Sequence, residues 1–159
     1  MAGDNDHCKR AEREHLPFIE QVYENIINDV KNFPLPIVGE LLNNPVGSER
    51  ALAAVKQAID YSKQTGTRFV ISGADGESLV DTSKPVEQHE AKYRKLIHDN
   101  LFLRTVTRKA SDSDCPEFFT EQKFSYSTNR KGLYAGVRIG QDVENIIGLI
   151  RGSRTSTPF

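Results

Sequence analysis

The chain has no tryptophan, a single methionine and only two cysteines in 159 residues. Cys8 and Cys115 are far apart and neither belongs to a CxxC, so a disulfide is possible but not implied. Two free thiols in a reducing compartment is the plainer reading. No apolar run reaches the roughly 18 residues that span a bilayer. The opening "MAGDNDHCKR" lacks the apolar centre of a secretory signal, and Gly3 stands one place too late for myristoylation. Location stays open on these grounds: cytoplasm or virion for a complete chain, extracytoplasmic for a fragment of a membrane receptor. Net charge is −1, which gives no global electrostatic case for nucleic acid or an anionic membrane. The charge is uneven: residues 1–60 hold 6 Lys/Arg against 10 Asp/Glu, and residues 120–159 hold 6 against 3.

Catalytic signatures are missing too. There is no HExxH, GxSxG, P-loop or GxGxxG. None of the four histidines, His7, His15, His89 and His98, pairs with another at i,i+4. A metal site from His89, His98 and a carboxylate competes with the simpler reading of solvated helix-face histidines. Cys115, beside Pro116 in an acidic loop, is the one candidate thiol nucleophile, and neighbouring carboxylates would raise its pKa and blunt it. The chain is therefore read as non-enzymatic, with no cofactor.

What is present is periodicity. In "LPFIEQVYENIINDVKNF", Phe18, Ile19, Val22, Tyr23, Ile26, Ile27 and Val30 recur at three and four residues, the mark of one helical face. Pro17 suits its first turn, and Pro34 and Pro36 stop it. "PLPIVGELLNNPVG" reads as a broken connector with one helical turn at Ile37–Leu42. A second helix follows in "SERALAAVKQAIDYSKQTG", capped by Ser48 and Gly66, with Leu52, Val55, Ile59 and Ser62 inward and Ala51, Ala53, Ala54 and Ala58 allowing close packing. "TRFVISGADGESLVDTS" switches to alternation around Asp75-Gly76, a hairpin turn pair. "PVEQHEAKYRKLIHDNLFLRTVTRKA" returns to helical spacing and "SDSDCPEFF" reads as a loop. A strand from Lys123, a turn at Thr128–Gly132, a strand carrying Leu133, Ala135, Val137 and Ile139 on one face, and a last strand in "NIIGLIRG" complete the pattern.

The expected fold is thus α+β: a mainly antiparallel sheet of about five strands, a long N-terminal helix and two further helices. Residues 1–14 and 153–159 are expected to be flexible, with one domain over 15–152. Tyr126, Tyr134 and Arg138 share the partly polar sheet face, which could line a cavity; they serve equally as packing residues. Arg104 and Arg108 lie one helical turn apart and with Arg138 and Lys123 could grip a small anion, against the simpler reading of a solvated basic stripe.

The hairpin "VISGADGESLVDTS" followed by helical segments and a close on "KFSYSTNRKGLYAGVRIGQDVENIIGLIRG" resembles the single-Cache and PAS-like sensor domains over residues 16–152. That resemblance implies a pocket between the sheet and the segment linking its second and third strands, taking small carboxylates or amino acids. Tyr93-Arg94 is a partial echo of the amino-acid-binding signature. The ending "STNRKGLYAGVRIG…IIGLIR" after "NLFLRTVTRKAS" is also similar to uncharacterised Cache-like proteins of large algal DNA viruses. "ERALAAVKQAIDYSKQTGTRFVISGADGESL" resembles the opening of the profilin-like GlcG/HbpS group, some of whose members bind haem.

Three functions follow as expectations. The first is a ligand-sensing module that binds a small anion through Tyr93, Arg104, Arg108, Tyr126, Tyr134 and Arg138. The second is a structural or virion component that forms homo-oligomers or docks through the stripe from Phe18 to Val30. The third is a haem or other cofactor carrier of the profilin-like layout.

Overall fold

The computed structural model describes residues 17–73, 77–90, 118–125, 130–140 and 146–155. The molecule is α+β. Helix α1, Pro17–Lys31, buries Ile19, Tyr23, Ile26, Ile27 and Val30, one stripe at three-to-four-residue spacing, and Pro17 fills a first-turn position that needs no N–H partner. Helix α2, Leu35–Asn43, is longer than the single turn expected there. Its prolines fall at the start, where they do not break the backbone ladder, and Ile37, Val38 and Leu41 make its buried face. Asn44 closes the end by donating from Nδ2 to the Glu40 carbonyl at 2.8 Å.

Helix α3, Glu49–Thr65, begins at Ser48, whose Oγ accepts from the Ala51 N–H, and ends at Gly66. Gly66 has φ of 78°, a left-handed conformation that glycine adopts without a Cβ penalty, and its N–H reaches the Ser62 carbonyl. The buried face is Ala51, Ala54, Val55 and Ala58, with Leu52 and Ile59 half-buried. Val55 and the close-packing Ala51, Ala54 and Ala58 are thus buried as expected, while Leu52, Ile59 and Ser62 lie at the margin of the face and Ala53 is exposed.

The strands are β1 (Arg68–Gly73), β2 (Ser78–Asp81), β3 (Phe118–Ser125), β4 (Arg130–Gly140) and β5 (Ile146–Thr155). They form one antiparallel sheet in the order β2-β1-β5-β4-β3, so the last strand fills the centre between the two hairpins. Three boundaries differ from the sequence reading. Phe118 and Phe119 belong to β3 rather than to a loop. Arg130, Lys131 and Gly132 belong to β4 rather than to the turn. β5 continues past residue 152 to Thr155, where its pairing with Gly132 ends. Of the helix expected from residue 85 onward, Val86–His89 is a single 3-10 turn; residues 91–117 lie outside the described residues, as do both cysteines.

All three helices pack on one face of the sheet. Phe33, Ile37, Val38, Leu41, Ala54, Val55 and Ala58 meet Phe69, Ile71, Val80 and Ile150, with Phe33, Phe69 and Tyr61 in edge and tilted ring contacts about 5 Å apart. The α1 stripe continues this core against Leu133 and Ala135 of β4. Gly152 is where α1 crosses β5: a Cβ there would stand 2.7 Å from Val30 Cγ1 and 3.1 Å from Ile26 Cγ2. The stripe proposed as an oligomer or docking surface is therefore covered by the chain's own sheet. Val22 is half-buried, and Phe18, 51 % exposed, is the member that faces solvent.

A polar clasp closes the same edge. Arg154 donates from Nη2 to Asp29 Oδ2 at 3.0 Å and to the Thr65 carbonyl at 2.9 Å, and from Nε to Thr67 Oγ1 at 2.8 Å. Thr67 donates in turn to Asp29 Oδ2 at 2.6 Å. The Arg154–Asp29 ion pair ties the end of β5 to α1 across most of the chain's length.

Candidate functional site: the polar face of the sheet

Strand alternation sends every second side chain of β1, β4 and β5 to the face opposite the helices. On that face the ladder sets Val70 opposite Arg151, Ser72 opposite Leu149 and Gly136 opposite Arg151, with Tyr134 and Ser153 paired one step on. It is a buried face: Tyr134 is 3 % exposed, Leu149 1 %, Ser72 0 % and Arg151 9 %. A polar, charged lining on a buried sheet face is the feature that separates this side from the apolar helix side.

Arg151 lies with its guanidinium carbon 5.3 Å from the centroid of the Tyr134 ring, a cation–π arrangement. Arg68, on β1, forks onto Asp81 of β2, from Nε to Oδ1 at 3.0 Å and from Nη2 to Oδ2 at 2.7 Å. Asp81 Oδ1 also accepts from the Ser83 N–H and hydroxyl. Burial alone would raise the Asp81 carboxyl, but the Arg68 hydrogen bonds and charge, with those from Ser83, outweigh it and hold the group at about 2. Arg151 is pushed down to about 10, first by burial and then by the like charge of Arg68, with Asp81 pulling the other way. The two arginines and the aspartate are thus one electrostatic unit.

His89 braces this unit. The Asp81 N–H donates to its Nε2 at 3.0 Å, so Nε2 is an acceptor and the proton sits on Nδ1, which points to the Pro85 carbonyl at 3.0 Å. With both ring nitrogens engaged, His89 has no nitrogen left for a metal, and His98 lies outside the described residues. No group of three or more His, Cys, Asp or Glu side chains that could hold a metal occurs among the described residues.

Ser72 is different from its neighbours. Its Oγ is buried and makes no hydrogen bond, while Ser78 across the β1–β2 ladder donates to the Val80 carbonyl at 3.4 Å. The register of that ladder slips between Ile71 and Ser72, with the extra residue, Leu79, on β2, while the β1–β5 ladder passes through Ser72 without a shift.

Of the six ligand residues read from sequence, Tyr134 stands on this face. Arg138 pairs with Leu149 in the β4–β5 ladder, at the same parity as Tyr134; its side chain lies outside the description. Tyr93, Arg104, Arg108 and Tyr126 fall outside the described residues. Sequence reasoning missed Arg68, Asp81, Arg151 and Ser72. The signal for Arg151 was a cation inside the apolar run "NIIGLIRG", where a buried charge needs a specific surrounding.

A shallow groove of about 390 Å³ lies between α2 and α3, lined by Pro36, Gly39, Glu40, Asn43, Asn44 and Arg50. It is open to solvent and Arg50 is exposed, so its charges are screened and it offers weaker recognition than the buried face. No helix among the described residues is long and apolar enough to cross a membrane. No protein-family model and no curated protein matches the chain.

Proposed function

We propose that this is a non-enzymatic recognition domain of PAS/Cache-like type that binds a small organic anion on the polar face of its sheet. The observation that carries the reading is Arg151: a guanidinium buried on a sheet face, stacked on Tyr134 and beside a second arginine. The two arginines and the ionised Asp81 leave this unit with a net positive charge in a low-dielectric setting, which attracts a small anion. The layout agrees with this reading: helices on one face, an early hairpin, and a close on three antiparallel strands. Arg138, at the next outward position of β4 beyond Gly136, joins the proposed set.

The mechanism is differential binding. β5 presents Arg151 to the ligand side and Gly152 and Arg154 to α1. A ligand that favours one position of β5 thereby favours one position of α1, and the shift is limited to its difference in affinity for the two arrangements.

The test is a thermal-shift screen of the purified chain against carboxylates, amino acids, nucleotides and haem. A ligand that binds only the native state raises Tm by mass action. The expected result is a dose-dependent rise with small carboxylates that is lost in Arg151→Gln, with circular dichroism verifying that the variant is folded. A flat response to every anion refutes the reading. If Tm instead climbs with protein concentration, an interaction protein takes its place.

A further inference from the structure

We infer that the outer edge of β3 is a homodimer interface, at which a second copy of the chain adds its own β3 antiparallel and the two sheets continue as one. β3 ends the sheet: it is hydrogen-bonded to β4 on one side, and among the described residues no strand pairs with its other side. Such an edge offers a row of backbone N–H and C=O groups to another strand. Proline, a bulge or a charge on the core side are the devices that block such pairing. Over Phe118–Ser125 the strand has none of them. Its sequence, FFTEQKFS, contains no proline, and its register with β4 runs the whole length without a shift. Phe118, Thr120 and Gln122 stand opposite Val137, Ala135 and Leu133, the residues of β4 on the helix side, and none of the three is charged. The two charges, Glu121 and Lys123, have the parity of Tyr134 on the other face.

Those charges also select the partner and the register. Residues directly opposite in an antiparallel pair lie on the same face, so a two-fold pairing of β3 with itself must centre on one residue. Centred on Glu121 or on Lys123, it sets two like charges against each other at the axis, and like charges directly opposite destabilise. Centred on Gln122, between them, it sets Glu121 opposite the partner's Lys123 and Lys123 opposite the partner's Glu121. Of the three central registers, that one alone is complementary in charge, and it is satisfied by an identical strand. The axis stands perpendicular to the sheet, so the helices of both copies stay on one face. With a net charge of −1, the chain puts little global repulsion in the way.

The test is sedimentation velocity of the full chain without added anions, so that its outcome is independent of the anion reading. Wild type should pass from monomer to dimer as concentration rises and stop there, because the two-fold pairing leaves no β3 edge open. Glu121→Lys and Lys123→Glu each set like charges opposite one another twice, and each should raise the dimer Kd at least about tenfold. The double variant Glu121→Lys/Lys123→Glu should regain wild-type dimerisation. An equimolar mixture of the two single variants should do the same, because its mixed pairs are again opposite in charge. A reading on wild type alone needs no variant: amide exchange over Phe118–Ser125 should slow as the dimer forms. A wild type that stays monomeric at its highest soluble concentration overturns the inference. So does a dimer in which that exchange is unchanged, or one that the single reversals leave as tight as wild type. Loss of the dimer in both single variants with no recovery in the double variant or the mixture overturns it as well.

Discussion

Acid should weaken this fold through Asp81 in a pH window that the structure specifies. The carboxyl sits at about 2 in the folded state against an ordinary 3.8. A carboxylate whose pKa is lowered by folding contributes stability above its unfolded value and loses it as pH falls through the folded one. At about 1.4 kcal/mol for each pH unit between the two values, the full contribution is on the order of 2 kcal/mol. About half of it is gone by pH 3 and most of it by pH 2. Other carboxylates titrate over the same range, so the informative quantity is a difference. Urea unfolding of wild type and Asp81→Asn should be measured from pH 6 downward. At neutral pH the variant is the less stable, because the Arg68 guanidinium, 18 % exposed, loses its bidentate anionic partner. The gap between the two should narrow by the amounts above as pH falls. A gap that stays constant from pH 6 to pH 2.5 refutes the account, and shows that the Arg68–Asp81 fork adds nothing that protonation can remove.

Three further outcomes follow from the packing of α1, the clasp and the α3 cap. Gly152→Ala should destabilise by about 1–3 kcal/mol in urea unfolding, because its Cβ enters the Val30 and Ile26 contacts of α1. A double-mutant cycle of Asp29→Asn with Arg154→Gln should give a coupling energy of about 1 kcal/mol or more, since the pair is partly buried and shares Thr67; a coupling near zero would remove the clasp as a link between β5 and α1. Gly66→Ala should cost about 1 kcal/mol in the same assay, because its backbone has φ of 78°.

Local order was legible in the sequence wherever one periodic face dominates. The stripe of α1 and the Ser48 and Gly66 caps of α3 are instances, since each is decided within a few residues. α2 was under-read because Pro34, Pro36 and Gly39 look like breakers, although prolines at the first turn leave the ladder intact. What the α1 stripe covers was not legible. Amphipathicity says that a face is buried, not whether the chain's own β4 or another molecule buries it. The site was legible only at Tyr134, which alternation placed outward. Arg68, Asp81 and Arg151 come together because β5 inserts between β1 and β4, and that pairing joins segments some 80 residues apart. No short-range pattern encodes it.

That insertion also explains why the proposed recognition and its coupling to α1 would fall on one strand. A central strand is held on both edges by backbone ladders, so its side chains are fixed in register while its two faces meet different environments. Arg151 faces the buried polar side, Gly152 lets α1 approach, and Arg154 clasps Asp29, three different environments within four residues. An edge strand could not do this, because one of its ladders is missing and its displacement would dissipate into solvent. The alternation of β5 therefore makes a testable separation. Substitutions at Arg151 should change ligand response and leave the α1 contacts in place. Substitutions at Arg154 should loosen α1, seen as faster amide exchange over Ile19–Val30, and leave ligand affinity within about twofold. If Arg154→Gln abolishes ligand binding while α1 exchange is unchanged, β5 does not separate the two roles and the coupling scheme is wrong.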